Sequence, residues 1–303
     1  MLDAHQLNVF LVAADTLNFT QAAHKLGMSQ PSVSQHIQSL ERFFNSPLFI
    51  RSTRNLKLTD AGSALIPLAQ DLVKQSICIE ETMASLQGEI FGHLVVGCST
   101  TPGKYILPHL LTRFHEEHAK VRITCQVSPQ AQAIEMLTEG DVNFALTSII
   151  VETNKKVEFR KFMRDNITLI VPLDHPWAEK GIIEPDDLHQ EDFLMRETDS
   201  GTYVSVNSAL ASIGIETNVL NTLMTLGNSE AIALSVQEGL GVGFVSEIVV
   251  SMLGQGRVVP IKVRGLDVYR EIYIGHNTSQ LSTIAQNAFW EFIKSLSYPF
   301  PLS

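Results

Sequence analysis

Asn18-Phe-Thr-Gln-Ala-Ala-His-Lys-Leu-Gly-Met-Ser-Gln-Pro-Ser-Val-Ser-Gln-His-Ile-Gln-Ser-Leu-Glu41 decides the reading of this chain. Ala22, Ala23 and Leu26 have the spacing of a short helix, Gln21 to Leu26, with Thr20 as its N-cap. Gly27 ends it, where a left-handed residue is commonly required. Ser29 caps the next helix, and Pro31 falls in its first turn, where a missing N–H costs nothing. Val33, Ile37 and Leu40 then share one face and point inward. Pro31, Ser34, Gln35, Gln38 and Ser39 occupy the opposite face, which is small, polar and rich in amides. Gln can bond adenine through two hydrogen bonds, and Ser can reach base or phosphate. Two helices joined by a short turn, the second lined with amides, form a helix-turn-helix. An ordinary solvated helix face carries the same residue types, so the flanking sequence has to decide.

Upstream, Leu7, Phe10, Leu11 and Ala14 place one apolar stripe on a helix over residues 5–17. Downstream, Leu48-Phe49-Ile50-Arg51 and Leu56-Lys57-Leu58-Thr59 are two short apolar-rich runs with Ser52 to Asn55 between them. They predict a hairpin. With Arg51, Arg54 and Lys57 on it, the hairpin is a wing suited to phosphates or a narrow minor groove. Asn45 stands where the chain turns before Pro47, a position that tolerates a left-handed backbone.

Together with Pro47-Leu-Phe-Ile-Arg51 and Leu58-Thr-Asp-Ala-Gly62, this stretch resembles the LysR-type transcriptional regulators. The resemblance implies that Gln30, Pro31, Ser34 and Gln35 approach bases while Arg51 and Arg54 hold the wing. Ser29, Ser32 and Gln38 complete the candidate DNA-facing set. Many relatives have Arg where this chain has Gln35, and Gly where it has Asn45. The first difference should alter sequence preference; the second should leave the fold intact.

Charge location supports this. The formal net charge is −10, which by itself argues against nucleic acid. Yet residues 16–58 hold five basic groups (Lys25, Arg42, Arg51, Arg54, Lys57) against one acid, Glu41. The other 17 basic and 31 acidic groups lie outside that segment. One basic patch stands in acidic surroundings.

Thr59 can cap a long helix from about Asp60 to about Leu86. Leu65, Ala69, Leu72, Ser76, Ile79, Met83 and Leu86 step alternately by four and three, a heptad seam for pairing with another helix. Packing on its own domain would use the same residues; the family resemblance favours dimerisation. Pro67 lies near the helix start as a kink site. Gln87-Gly88-Glu89 and Gly92 look like a hinge.

From His93 onward strands and helices alternate. Leu94–Cys98, Val121–Val127 and Val142–Leu146 are strands, separated by helices over Ile106–Phe114 and Ala131–Leu137. This order requires a parallel sheet with helices on its faces. A second such unit runs from Ile167–Val171 to Val242–Val245. Tyr269 to Gly275 returns as a strand, and Leu281 to Leu296 closes as an amphipathic helix.

Two α/β lobes place a ligand between them, beyond the carboxyl ends of strands. Three segments qualify. Ser99, Thr100 and Thr101 follow the first strand, and Thr147 and Ser148 follow the third. Arg196, Glu197, Ser200, Gly201 and Thr202 lead into a helix. Gly227-Asn-Ser-Glu230 precedes another, where Ser229 is either its cap or a further ligand contact. Hydroxyls and free N–H groups at helix starts suit a small anion, although capping is the commonest use of Ser and Thr. Gly239-Leu-Gly-Val-Gly243 has no phosphate-binding spacing. The resemblance implies an effector-binding domain similar in fold to type 2 periplasmic binding proteins. Its Arg196-Glu197-x-x-Ser200-Gly201-Thr202 pattern resembles the branch regulating carbon fixation and sulfur assimilation, whose effectors are often small anions. Asp199 stands where Gly is usual there, and Tyr203 where Arg is usual; both changes weaken anion binding.

The expected organisation is therefore a winged helix-turn-helix over 1–59, a linker and dimerisation helix with hinge over 60–90, and a two-lobed effector domain over 91–303. The expected function is sequence-specific binding of double-stranded DNA, modulated by a small-molecule effector, in a dimer or tetramer. A solute-binding protein would share the C-terminal fold but predicts a signal peptide and no helix-turn-helix. The first twelve residues carry Asp3 and neither Lys nor Arg, unlike a secretory leader. No apolar run approaches the ~18 residues that span a bilayer. A cytoplasmic protein without a membrane partner is the expectation. An enzyme is not expected, because no H-E-x-x-H, G-x-S-x-G or Cys/His cluster appears. Cys78, Cys98 and Cys125 give no disulfide scaffold or zinc spacing, so neither metal nor cofactor is expected.

Overall fold

The computed structural model describes residues 1–51, 56–86, 88–149, 156–254, 256–279 and 281–300, with only the backbone of Arg51. The chain divides into two compact units, residues 1–89 with 281–284 and residues 90–280 with 285–303.

The first unit runs α1 (Ala4–Thr16), α2 (Phe19–Leu26), α3 (Gln30–Phe44), β1 (Phe49–Arg51), β2 (Leu56–Leu58) and α4 (Asp60–Ser85). Leu7, Phe10 and Ala13 of α1 meet Ala22 and Ala23 of α2 and Val33, Ile37 and Leu40 of α3 in one buried cluster. The expected Thr20 cap is corrected by two residues. Asn18 Oδ1 accepts from the N–H groups of Thr20 (2.9 Å) and Gln21 (3.1 Å), so α2 starts at Phe19. A longer carboxamide reaches two orphan donors at once. Gly27 (φ 64°) and Asn45 (φ 50°) take the left-handed turns that end α2 and α3. β1 and β2 pair antiparallel, with Phe49 opposite Leu58 and Arg51 opposite Leu56. The turn expected over Ser52 to Asn55, including Arg54, lies outside the described residues, as does Gln87 of the expected hinge.

Thr59 caps α4, its Oγ1 accepting from Gly62 N at 2.9 Å. The helix continues through Pro67. The heptad seam splits in two. Leu65 and Ala69 are buried in the first unit's own core, whereas Ile79, Met83 and Leu86 are all more than 60% exposed.

The second unit begins with β3 (Gly92–Cys98), a π-helical turn (Pro102–Ile106), α5 (Leu107–Glu117), β4 (Val121–Val127), α6 (Gln130–Glu139) and β5 (Phe144–Thr147). It continues with β6 (Val157–Pro172), α7 (Pro176–Lys180), β7 (Ile182–Ile183), β8 (Asp192–Arg196), α8 (Gly201–Ser212), β9 (Asn221–Leu226), α9 (Ser229–Gln237) and β10 (Val242–Ser246). It closes with α10 (Glu247–Val249), β11 (Val258–Val263), β12 (Tyr269–Asn277) and α11 (Ile284–Ser295).

β3 pairs parallel with β4 and β5, as the alternation required. β8 likewise pairs parallel with β9 and β10. The expectation that Ile167–Val171 opens this second parallel unit is overturned. Those residues belong to the 16-residue β6, which runs antiparallel to β10, β11 and β12. The second parallel unit starts instead at Asp192. Strand order β4-β3-β5-β12-β6-β10-β8-β9 thus sets two parallel triplets on either side of two long antiparallel strands. The first lobe packs Phe114 and Phe144 against Phe289 of α11; the second packs Phe193 against Phe244 and surrounds them with Trp177 and Leu210.

Candidate functional sites: a helix face and a cleft

In the first unit the buried triad Val33, Ile37 and Leu40 fixes the rotation of α3 and turns Gln30, Pro31, Gln35 and Gln38 outward as exposed residues. Ser32 and Ser34 are half-buried. Ser29 Oγ caps the helix by accepting from Ser32 N at 3.3 Å, so this hydroxyl has a structural task. Gln30 Nε2 donates to Ser34 Oγ at 3.0 Å, which leaves Gln35 and Gln38 as side-chain amides of this face without a partner among the described residues. Glu41 was not among the expected site residues. Its Oε1 accepts from the backbone N–H of Leu48 (2.9 Å) and Phe49 (3.2 Å), tying the last turns of α3 to the wing. Its signal was present: it is the one acid in the basic segment 16–58.

In the second unit a cavity of about 290 Å³ opens between the lobes. Ser99, Thr100 and Thr101 line it from the first lobe. Arg196, Glu197, Ser200 and Gly201 line it from the second. The other four expected residues stand behind this lining. Thr147 Oγ1 closes a local turn with Ile149. Ser148 donates to Gln130 Oε1 through both N (2.6 Å) and Oγ (2.7 Å). Thr202 Oγ1 accepts from Arg270 Nη1 at 3.2 Å, and Ser229 Oγ accepts from Arg196 Nη1 at 3.2 Å. A Cβ at Gly201 would run into Ser148 Oγ, which would have to turn away from Gln130.

Sequence reasoning missed Ser128, Gln130 and Arg270, which also line the cavity. Arg270 is buried beside the fully buried Asp165: Nε donates to Oδ2 at 2.8 Å, and Ser246 Oγ donates to Oδ1 at 2.6 Å. On β12, Arg270 shares a face with the buried Ile272 and Ile274, so a cation on an otherwise apolar strand face was the available signal.

Two carboxylates near the cavity are held ionised. Burial works against the charge of Glu197, but hydrogen bonds from Arg196 at 2.8 and 2.6 Å outweigh it and lower its pKa. Burial likewise opposes Glu230, and Lys104 Nζ at 2.9 Å brings its pKa down. Lys104 belongs to the first lobe and Glu230 to the second, so this pair bridges them. Tyr105 is pushed up to about 12 by burial and by Glu230. Burial holds the Cys98 thiol at about 12, which suppresses thiolate chemistry.

A family model described as the LysR substrate binding domain matches residues 87–297. Another, the bacterial regulatory helix-turn-helix protein of the lysR family, matches residues 4–63. The chain is 32% identical over 285 residues to an uncharacterized HTH-type transcriptional regulator of Methanocaldococcus jannaschii, covering 94% of this chain and 96% of that one. It is 32% identical over 290 residues to a probable RuBisCO transcriptional regulator of Cyanidioschyzon merolae, with 94% and 95% covered. Among solved structures, a full-length OxyR variant from Pseudomonas aeruginosa superposes with a TM-score of 0.71 at 21% identity, covering 98% of this chain and 96% of that one. Full-length CbnR complexed with its target DNA gives 0.58 at 19%, covering 97% and 99%. The regulatory domain of Synechocystis CcmR in complex with 2-PG gives 0.60 at 22%, covering 67% and 95%. At these identities the structures establish the fold alone. With family models matching both the helical N-terminal segment and most of the remaining residues, the chain belongs to the LysR family of transcriptional regulators.

Proposed function

We propose that this regulator reads DNA with α3, self-associates through the second half of α4, and responds to a small molecule held between the lobes of its second unit. Functionally, residues 1–59 bind DNA, 60–90 link and dimerise, and 91–303 sense. The observation that carries the reading is the α3 face: a helix locked by three buried aliphatics presents Gln35 and Gln38, exposed and without side-chain partners among the described residues, on the basic segment of an acidic chain. Pro31, Gln30 and the Ser32 and Ser34 hydroxyls flank them, and Arg51 and Arg54 of the wing take the phosphates. Two copies joined through α4 would set two α3 helices on successive half-sites. The DNA and 2-PG complexes of CbnR and CcmR support the corresponding roles here. Ser99, Thr100, Thr101, Arg196, Glu197, Ser200 and Gly201 form the effector site, with Thr147, Ser148, Thr202 and Ser229 as its support.

The ligand is bound and released unchanged, and the protein works in the cytoplasm, where its DNA is. None of the described helices is long and apolar enough to cross a membrane. The solute-binding alternative is set aside by the helix-turn-helix match over residues 4–63.

The test is footprinting of the full chain on the DNA upstream of its own gene, with and without Gln35→Ala. Salt-sensitive protection is expected, and the variant should lose roughly 1–3 kcal/mol of discrimination at one base position. Unchanged preference at every position would overturn the role of Gln35. Absence of sequence-specific protection would overturn the DNA reading.

A further inference from the structure

We propose that the inter-lobe cavity is built for a small zwitterion, an α-amino acid, rather than for a phosphate or other dianion; this rests on the reading of that cavity as the effector site.

The inner wall asks for an oxyanion. Gln130 is 5% exposed and its Oε1 is occupied twice by Ser148. Because a backbone N–H can only donate, the orientation of this amide is fixed. Its Nε2 is left buried and, among the described residues, without a hydrogen-bond partner, on a residue that lines the cavity. Ser128 Oγ, in the same wall, is buried and equally unpartnered. Arg270, in the same lining, is already committed to Asp165, with Nη2 2.7 Å from Oδ2. Two buried donors in the wall of one cavity cost free energy until an acceptor-rich group meets them. The N-termini of α6, at Gln130, and α8, at Gly201, open onto the same space and favour negative charge there.

The charge balance then limits that oxyanion to a single negative charge. Both cations of the site are already compensated, Arg270 by Asp165 and Arg196 by Glu197. A third carboxylate, Asp199, lines the cavity as an exposed residue and makes no ion pair among the described residues. Three acids against two guanidiniums repel a dianion but accept a carboxylate that brings its own cation. An amine on the adjacent carbon would pair with Asp199 while the carboxylate meets Gln130 and Ser128. A cavity of about 290 Å³ lies at the small end of ligand sites, in keeping with a single amino acid.

The experiment is isothermal titration of the full-length protein with the twenty common L-amino acids. The α-hydroxy acid of the tightest binder and inorganic phosphate serve as comparisons. At least one amino acid should bind ten-fold or more tightly than its hydroxy counterpart, and phosphate more weakly still. Asp199→Asn should weaken the amino acid about ten-fold and leave the hydroxy acid unchanged. Gln130→Glu, which keeps the acceptor for Ser148, should weaken both. Thermal melting of the unliganded variants checks that they fold. Tighter binding of phosphate or of the hydroxy acid, abolished by Gln130→Glu, would overturn the zwitterion and leave the effector cavity standing. Binding of none of the amino acids would likewise overturn the zwitterion. Amino-acid binding that neither variant disturbs would overturn both the ligand class and the cavity.

Discussion

Glu41 shows how much one side chain can organise. The carboxylate accepts two backbone N–H groups at the entry to the wing. Glu41→Ala would leave them without that acceptor, one of them at the buried Leu48, at a cost of roughly 1–3 kcal/mol. Urea denaturation should register that loss, with a parallel fall in DNA affinity, and Glu41→Gln should recover most of both. Glu230 gives a pH dependence whose sign is fixed. Its folded pKa lies below the ordinary carboxylate value of 4.5, so its contribution is present above that value and lost as pH falls through the folded one. Because Lys104 is half exposed, the pair is worth at most about 1 kcal/mol. Melting temperature should decline on the acid side below about pH 4.5, and Glu230→Gln should flatten that decline. A variant with an unchanged acid limb would remove Glu230 from the account.

At the scale of elements, α4 separates two uses of one pattern. Its first turns complete the core of their own unit through Leu65 and Ala69. Its later turns present Ile79, Met83 and Leu86 at seam positions, each more than 60% exposed. Burying such side chains against a second helix is worth on the order of 1.5–3 kcal/mol apiece. Ile79→Asp with Met83→Asp should therefore shift the full chain toward monomer in analytical ultracentrifugation, with its melting temperature nearly unchanged. A dimer that survives both substitutions would place the interface elsewhere. What was legible in the sequence follows the same division. The helix-turn-helix was readable because caps, Gly27 and the Val33–Ile37–Leu40 stripe all act within a few residues. The parallel β3–β5 triplet was readable because a helix separates each strand from the next. β6 was not, because the apolar run Ile167–Val171 looks the same whether its partner is parallel or antiparallel. Arg270 escaped for a related reason: its partner Asp165 lies 105 residues away, and only the pairing of β6 with β12 brings them together.

For the whole molecule, Asp165–Arg270 is the polar centre of the two-lobed unit. Asp165 on β6 and Arg270 on β12 also engage Ser246 at the end of β10 and Thr202 in α8. Removing one member of a buried pair leaves the other charge uncompensated, typically at 3–5 kcal/mol. Asp165→Ala should cost that much in denaturation of the full chain and abolish the ligand response, whereas the N-terminal unit should still bind DNA. Loss of less than 1 kcal/mol would show that the guanidinium finds another partner.

The two long antiparallel strands also fix an order of events during synthesis. β3 to β5 emerge early, but the first lobe is finished by β12 and α11, which follow the whole of the second lobe in the chain. Phe114 and Phe144 wait for Phe289, while the strands and helices of the second lobe have all been translated in between. In chain order the second lobe is an insertion within the first. Domains fold as units, N-terminal first, as the ribosome releases them. The DNA-reading helices are thus free to take shape long before the sensor that governs them, so each newborn chain passes through an interval in which it can grip an operator without yet answering to a ligand.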